Sequence, residues 1–304
     1  MKQPVIAVIG AGAVGSATAY ALILRNVAAK IMIVDADADK CCGEVQDLKD
    51  TLSLSHTSSV CTASLQDAGQ ADIIIITAGI AQKPGQKRVD ILATNHDIIG
   101  SVIHSMKPIK SNSIIIMVTN PVDILTRYVQ EISGLPRTRV FGSGTLLDSN
   151  RLRGLLGEKL SINPASIQAY VLGEHGDNQF VAWSSAQIGG VSLSSFSLKQ
   201  QDQEELAEKA KYKAYDIISR KGCTAFGVAS SLVTYVENIV GDLKLVCPLS
   251  CFIDDLGVCL SMPVVLGAQG IERILRPALN KQEQEKLAVN ATILDKQYKE
   301  LRSL

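Results

Sequence analysis

Three side chains in the sequence are suited to acid–base chemistry on a small organic acid. His175 lies in "GEHGD", where the neighbouring glycines predict a sharp turn. Asp148 and Arg151 are three residues apart in the helical segment "LLDSNRLR", so both can face one cleft. Histidine can accept a hydroxyl proton, a carboxylate can fix its tautomer, and arginine can bind a carboxylate. Together with the dinucleotide pattern described below, the set indicates hydride transfer from C2 of a hydroxy acid to a nicotinamide, although an isolated Asp–Arg pair is most often a surface ion pair.

A cationic loop, "AGIAQKPGQKRVD", follows a strand-like apolar run. Gly79 ends that run, and Pro84 and Gly85 are typical of a segment that hinges. Arg88 could close over the reacting oxygen and stabilise the charge that develops there. The loop therefore predicts a lid above the site.

The N-terminal segment "VIAVIGAGAVGSATAYAL" has the pattern of a dinucleotide site. Gly10, Gly12 and Gly15 form GxGxxG between a strand and a helix, and the next strand ends at Asp35, 20 positions after Gly15. Gly10 permits the tight turn, Gly12 lets backbone N–H groups approach a pyrophosphate, and Gly15 allows close packing of the helix on the sheet. Asp35 would bind ribose hydroxyls and repel a 2′-phosphate, which favours NAD over NADP.

The elements that must position these residues divide the chain into two parts. Continuous apolar strands alternate with helical patterns over the first half, which predicts an α/β fold: a Rossmann-type doubly wound parallel sheet in a domain spanning residues 1–143. Longer helices mixed with strand-like pieces predict an α+β substrate-binding and catalytic domain over residues 144–304. A cleft between the two is expected to hold the site.

Composition argues against several classes of partner. The 30 basic and 30 acidic side chains balance, so no net charge favours nucleic acid or an anionic membrane. No apolar run approaches the roughly 20 residues needed to span a bilayer, and the N-terminus has no signal-peptide pattern. The seven cysteines lack zinc or redox spacing, so we expect reduced thiols, no metal and a cytoplasmic location.

Several motifs together resemble the lactate/malate dehydrogenase family, and more closely its lactate dehydrogenase branch. They are "GAGAVG", "TAGIAQKPGQKR", "VTNPVD", "LLDSNRLR", "GEHGD" and "KGCTAFG", which cover essentially the whole chain. The resemblance implies that His175 is the proton acceptor, Asp148 its partner and Arg151 the clamp for the substrate carboxylate. It also implies that Arg88 is the mobile-loop arginine.

The resemblance further implies the surroundings of substrate and cofactor. Asn120 would contact the nicotinamide side and the substrate, and Thr224 would line the pocket. The cofactor contacts implied or indicated above are Gly10, Gly12, Val14, Gly15, Asp35, Thr77, Ala78, Gly79, Asn95, Val118 and Asn120. A homotetramer is the family expectation, with a dimer as the alternative, and a glycolytic role is implied.

The resemblance locates substrate specificity at Gln82, where malate dehydrogenases have arginine and lactate dehydrogenases usually have glutamine. A dicarboxylate facing a neutral Gln82 in a closed site would carry an uncompensated charge, which costs several kcal/mol. We therefore expect a 2-oxo or 2-hydroxy monocarboxylate, with pyruvate and L-lactate as the pair.

Three departures from the family pattern bear on pocket and regulation. Cys223 and Phe226 replace common Tyr and Trp, and "GDNQFVAWS" resembles 2-hydroxyisocaproate dehydrogenases, so a bulkier substrate stays open. Arg153 matches the arginine of the fructose 1,6-bisphosphate site, but Gln168 occupies the histidine position, so we predict weak or absent activation.

Four alternatives remain at this stage. Within the class, the chain could be a malate dehydrogenase or a broader hydroxyisocaproate-type dehydrogenase. Outside it, the chain could be a non-catalytic NAD-binding module, or a metal-dependent glycosidase of the NAD-using type. The joint presence of His175, Asp148, Arg151 and Arg88 argues against the module, and the lack of a cysteine placed by motif beside His175 argues against the glycosidase.

Overall fold

The computed structural model describes residues 4–55, 59–80 and 91–302. In these ranges the chain forms one large sheet and two small ones. The strands are β1 (Val5–Ile9), β2 (Lys30–Val34), β3 (Ser59–Thr62), β4 (Ile73–Ile76), β5 (Ile114–Met117), β6 (Val140–Gly142), β7 (Ile167–Gln168), β8 (Val171–Leu172), β9 (Phe180–Val181), β10 (Gln187–Ile188), β11 (Val191–Ser192), β12 (Leu245–Ile253), β13 (Val258–Gly267) and β14 (Gly270–Ile274).

The helices alternate with strands in the first half and dominate parts of the second. They are α1 (Ala13–Arg25), α2 (Ala38–Asp50), α3 (Leu65–Ala68), α4 (Leu92–Met106), α5 (Val122–Ile132), α6 (Leu146–Leu160), α7 (Gln200–Lys221), α8 (Phe226–Gly241) and α9 (Lys281–Arg302). None of the helices in the described part of the chain is both long and apolar enough to cross a membrane.

The large sheet has the order β14-β13-β12-β6-β5-β4-β1-β2-β3. β1 to β6 pair in parallel, and β4 consists of four isoleucines that are all buried, because helices cover both faces of such a sheet. The predicted doubly wound parallel sheet is confirmed.

The parallel arrangement brings three chain turns together at the carboxyl ends of the strands. Gly10 follows β1, Thr77 follows β4 and Val118 follows β5, and these three strands are neighbours. The strand order reverses at β1, which lies between β4 and β2. Ligands of doubly wound folds bind outside the carboxyl ends of strands at such a point.

The second half extends the same sheet and adds a helical layer. β12 and β13 form a long antiparallel hairpin, and β12 joins β6 through the pairing of Ser250 with Gly142. The predicted α+β second half is therefore confirmed. The predicted boundary between residues 143 and 144 falls in the short connection from β6 to α6, and it remains a prediction because the sheet continues across it.

Helix α9 packs against α5 through a cation–π contact and a charged hydrogen bond, both made by Arg127. The Arg127 guanidinium lies 4.0 Å from the centroid of the Tyr298 ring, and its Nη1 donates to Asp295 Oδ1 at 3.3 Å. Leu294, Tyr298 and Leu301 bury the apolar side of α9. This docking places the middle of α9 beside the second half of the sheet.

Candidate active site

The glycine turn between β1 and α1 is shaped by the protein's own packing at two of its three glycines. Gly10 has φ +106°, and a Cβ on it would lie 2.8 Å from Ala78 N. A Cβ on Gly15 would lie 1.8 Å from Gly10 O, so only glycine fits. A Cβ on Gly12, in contrast, would meet no described atom within 4 Å. Gly12 therefore leaves open space in front of the N-terminus of α1.

That helix end is suited to an anion. Gly12 is its N-cap residue, and no side chain caps the first turn. The first N–H groups of a helix lack partners within the helix, and together with the helix dipole they attract phosphate. The turn fits the pyrophosphate of a dinucleotide.

Asp35, which was predicted to hold a ribose, also braces the glycine turn. Its Oδ2 accepts a hydrogen bond from Ala11 N at 2.6 Å, and its Oδ1 accepts from Asp37 N at 2.9 Å. Each carboxylate oxygen has further acceptor capacity. Ribose binding by Asp35 remains a prediction, with the orientation of its carboxylate already set by the two backbone contacts.

A cavity of about 320 Å³ extends from this turn into the second half of the chain. Most of the predicted site residues lie around it: Gly12, Val14, Gly15, Thr77, Gly79, Val118, Asn120, Asp148, Arg151, His175 and Thr224. Gly10, Asp35, Ala78 and Asn95 do not line it. Gln82 and Arg88 lie outside the described residues. The glycine turn and the candidate catalytic residues therefore line one cavity.

Asp148 links the two other catalytic candidates. Its Oδ2 is 2.8 Å from His175 Nδ1, and its Oδ1 accepts from Arg151 Nη1 at 3.2 Å. The side chains of Asp148, Arg151 and His175 are 3%, 8% and 19% exposed, so His175 is the most accessible member. A carboxylate on Nδ1 directs the other ring nitrogen, Nε2, to exchange a proton with a ligand.

Asn95 links the chain segments that follow β4 and β5, and Asn120 belongs to the second of these segments. Asn95 is fully buried; its Oδ1 accepts from Ile80 N and its Nδ2 donates to Asn120 O, both at 2.8 Å. Asn120 Oδ1 is buried at the cavity and has no hydrogen-bond partner among the described residues. An unsatisfied acceptor there fits the amide N–H of a nicotinamide carboxamide.

The far wall of the cavity is formed by apolar and small side chains. Leu147, Ile218, Cys223 and Val228 line it together with Thr224. Phe226, which like Cys223 departs from the family pattern, has no such role, because it is 72% exposed and does not line the cavity. Its ring lies instead under Lys221, whose Nζ is 4.0 Å from the ring centroid. Cys223 alone of the two affects pocket size.

The turn that carries His175 is held by residues that the sequence did not assign to the site. His175 N donates to Asp123 Oδ2 and Glu174 N donates to Asn290 Oδ1, each at 2.7 Å. On the other side, Lys211 and Tyr215 of α7 donate hydrogen bonds to Asp177 O and Oδ1. The sequence held two signals: Asp123 follows Asn120 in the "VTNPVD" motif, and Asn290 is a polar residue within the apolar side of α9, where a buried asparagine requires partners.

Burial has a clear electrostatic effect on Asp123. Loss of solvent raises its pKa to about 6, against the lowering effects of the Ser250 hydroxyl, the His175 N–H and the His175 ring. A mostly ionised carboxylate at neutral pH is thus buried next to the His175 backbone.

The residues compared with an effector site have internal partners. Arg153 Nε donates to Ala169 O at 3.2 Å and the guanidinium lies 5.2 Å from the Tyr170 ring centroid, while burial lowers the Arg153 pKa. Gln168 is exposed on β7. Weak or absent activation by fructose 1,6-bisphosphate remains a prediction. Within the described ranges, no three His, Cys, Asp or Glu side chains are grouped so that they could hold a metal ion.

Comparison with known proteins matches both halves of the chain. The model of the lactate/malate dehydrogenase NAD binding domain matches residues 5–142, and that of the lactate/malate dehydrogenase alpha/beta C-terminal domain matches residues 145–303. L-lactate dehydrogenase A of Rhizopus oryzae is 41% identical over 290 residues, covering 95% of this chain and 90% of the relative. L-lactate dehydrogenase of Thermus aquaticus is 38% identical over 299 residues, covering 95% and 96%.

Solved structures of similar shape include two with lactate dehydrogenase titles. A lactate dehydrogenase from a Medee basin deep-sea metagenome library has a TM-score of 0.94 and 32% identity, covering 99% of this chain and all of that one. The minor L-lactate dehydrogenase of Enterococcus mundtii, in a ligand-bound form, has a TM-score of 0.93 and 32% identity, covering 98% of both chains.

Proposed function

Because the chain belongs to the lactate/malate dehydrogenase family, we propose that it is an NAD-dependent L-lactate dehydrogenase, which interconverts pyruvate and L-lactate. The observation that carries this proposal is the contact of Asp148 with both His175 and Arg151 at the cavity that begins at the glycine turn. A proton acceptor and a carboxylate ligand are thereby held side by side.

Residues at the edge of the sheet would hold the cofactor. Gly12, Val14 and Gly15 would face the pyrophosphate, Asp35 the ribose and Asn120 the nicotinamide carboxamide. When bound, NAD supplies the nicotinamide ring that accepts or donates the hydride. A low dielectric is favoured there because apolar side chains make up much of the cavity wall.

His175 would move the proton. In lactate oxidation its Nε2 accepts the proton of the C2 hydroxyl, and in pyruvate reduction the same atom returns a proton to the carbonyl oxygen. Asp148 holds the ring through Nδ1 and stabilises the imidazolium, since its carboxylate lies 2.8 Å away. One carboxylate thus fixes both the tautomer and the charge of the acid–base group.

Arg151 would orient the substrate. Its Nη1 donates to Asp148, and the guanidinium has further N–H groups with which to bind the substrate carboxylate in parallel. Arg88 would polarise the reacting carbonyl, and Thr224 would line the pocket. Fixing one end of a small acid in this way orients C2 for hydride transfer.

Substrate choice is the decisive test of the proposal. We expect kcat/KM with NADH to be highest for pyruvate when pyruvate, oxaloacetate and 2-oxoisocaproate are compared in steady-state assays. A higher value for oxaloacetate would make the chain a malate dehydrogenase despite Gln82. A higher value for 2-oxoisocaproate would favour a hydroxyisocaproate-type enzyme, for which the small Cys223 in the cavity wall leaves room.

We also propose that the protein acts as a homotetramer, with a dimer as the alternative, in the cytoplasm and in glycolysis. Support for assembly comes from Tyr20 and Leu24 of α1 and from Leu243, Leu245 and Val246 after α8, all of which are exposed on the single chain. Free cysteines support a reducing compartment. Sedimentation equilibrium would give the mass of the assembly, and a monomer would contradict this part of the proposal.

A further inference from the structure

The backbone of the turn at residues 173–178 is held from three distant parts of the chain. Asp123 of α5 accepts from His175 N, and Asn290 of α9 accepts from Glu174 N, both at 2.7 Å. Asn290 Nδ2 also donates to Asn178 O at 3.0 Å, so this one side chain spans the turn. Gly173 exchanges two backbone hydrogen bonds with Ser261 of β13. Three successive residues of the turn, 173 to 175, are therefore hydrogen-bonded through their N–H groups.

We propose that Asp123 and Asn290 are positioning residues for the proton acceptor His175: they hold the backbone of its turn, and the negative charge of Asp123 attracts the ring when the ring is positive. The inference rests on the role of His175 in the proposed function. Neither residue lines the cavity, so both act on the reaction through His175.

The placement of Asp123 is unfavourable for the stability of the fold. Asp123 is only 3% exposed. Burying an ionised carboxylate costs free energy, even with the Ser250 hydroxyl and the His175 N–H beside it. An asparagine has nearly the same shape and carries no charge. The charge therefore has no evident benefit to folding, and its nearest beneficiary is His175.

The groups facing Asp123 agree with a role in stabilising a positive ring. The Ser250 hydroxyl of β12 and the His175 ring lower the pKa of Asp123, whereas Glu174 raises it. Cys251 of β12 and Cys259 of β13 also lie close enough to interact, and burial raises the pKa of both thiols so that they stay neutral. The His175 ring therefore attracts the ionised Asp123 carboxylate when the ring carries a proton.

Asn290 connects the turn to the docking of α9. Its side chain is 2% exposed, and besides its two contacts with the turn it donates to Lys286 O in its own helix at 2.7 Å. Arg127, four positions after Asp123 on α5, contacts Asp295 and Tyr298 of α9. The two positioning residues thus lie on helices that are packed together, and they hold adjacent N–H groups.

The test uses the full-length variants Asp123→Asn and Asn290→Ala, the double variant, and kcat, KM for pyruvate, NADH affinity and Tm. We expect kcat for pyruvate reduction to fall about 10-fold or more in each single variant. Asn290→Ala releases the turn, and small displacements of an acid–base group are costly. Asp123→Asn keeps the shape of the side chain and removes the negative charge near the His175 ring. NADH affinity should change by less than about twofold, because the glycine turn is untouched. The double variant should lose less than the product of the two single losses, since both act on one turn.

The Asp123→Asn variant separates positioning from general stability. Its Tm at neutral pH should be equal to or above that of the wild type, while kcat is lower. The pH profile should change as well: with a pKa of about 6, Asp123 takes up a proton in the wild type as the pH falls, which weakens its hold on His175. That titration is absent from the asparagine variant, so its kcat for pyruvate reduction should fall less between neutral and acidic pH.

Asn238→Ala is the matched control, because Asn238 is a buried amide on α8 that donates to Cys247 Sγ and does not touch the turn. It should lower Tm with kcat retained. The inference is overturned if wild-type kcat persists in Asp123→Asn, or if kcat losses only follow Tm losses. If the wild-type protein reduces no 2-oxo acid, the proposed function fails and this inference fails with it. If the wild type is active and Asp123→Asn is equally active, only this inference fails.

Discussion

Asp148 is the residue on which the site depends most directly. One of its oxygens lies 2.8 Å from His175 Nδ1 and the other accepts from Arg151, so a single carboxylate orients both the proposed proton acceptor and the proposed ligand of the substrate carboxylate. The sequence predicted that Asp148 and Arg151 share a face, since they are three residues apart on a helix. Only the structure shows that the two side chains form a direct ion pair and that the side chain of Asp148 is 3% exposed.

His175→Ala should abolish the chemistry and spare the cofactor. We expect kcat for pyruvate reduction to fall by about 10³-fold, the scale of general acid–base catalysis. NADH affinity should be nearly unchanged, because the glycine turn and Asp35 lie on other parts of the chain. Stopped-flow turnover and NADH fluorescence titration measure the two quantities. Loss of NADH binding would contradict the placement of His175 at the substrate.

Gln82→Arg should move substrate preference toward oxaloacetate. A buried arginine can pair with a second carboxylate and would be left unpaired beside pyruvate, so the ratio of kcat/KM for oxaloacetate to that for pyruvate should rise by about 10²-fold or more. Gln82 lies outside the described residues, so this prediction rests on the family resemblance. An unchanged ratio would show that Gln82 does not face the substrate.

At the scale of elements, the turn from β1 to α1 does two separate jobs. Gly10 and Gly15 allow the strand and helix to approach each other and Ala78, whereas Gly12 leaves space for a ligand. The GxGxxG pattern predicted a tight turn at Gly10, approach to the pyrophosphate at Gly12 and helix–sheet packing at Gly15, and the space around each glycine agrees with these roles. Only the structure shows which atoms a Cβ at Gly10 or Gly15 would meet, because those atoms belong to other parts of the chain.

Gly12→Ala and Gly15→Ala form a matched pair that tests this difference. Gly15→Ala should lower the free energy of unfolding by more than about 3 kcal/mol, because its Cβ would fall 1.8 Å from Gly10 O. Gly12→Ala should unfold like the wild type and bind NADH more weakly, by about 10-fold or more. Urea unfolding and NADH titration of both variants provide the measurements. Equal stability of the two variants would contradict the assignment.

The whole molecule carries a destabilising charge that depends on pH. The Asp123 pKa is raised from 3.8 to about 6, so the folded state binds this proton more tightly than the unfolded state. Protonated Asp123 therefore makes its full contribution to the stability of the folded protein below about pH 4, and this contribution is lost as the pH rises through about 6. Above that range the ionised group costs the fold roughly 3 kcal/mol.

Asp123→Asn removes the cost of burying this ionised carboxylate from the folded protein. Its free energy of unfolding should exceed that of the wild type by up to about 3 kcal/mol at neutral pH, and the difference should vanish near pH 4. Urea unfolding of both proteins across this pH range gives the comparison. A difference that grows toward acidic pH would have the wrong sign and would exclude a raised pKa.

The sequence by itself determined the parallel α/β class, the dinucleotide turn and the chemical types of the catalytic group. These features depend on hydrophobic periodicity and on spacings of a few residues, which can be read along the chain. Only the tertiary structure showed that Phe226 points away from the cavity, that Asp35 braces the glycine turn, and that Asp123 and Asn290 hold the turn of His175. Glu174 and Asn290 are 116 positions apart, and such contacts arise from the path of the whole chain through the sheet, which local pattern does not specify.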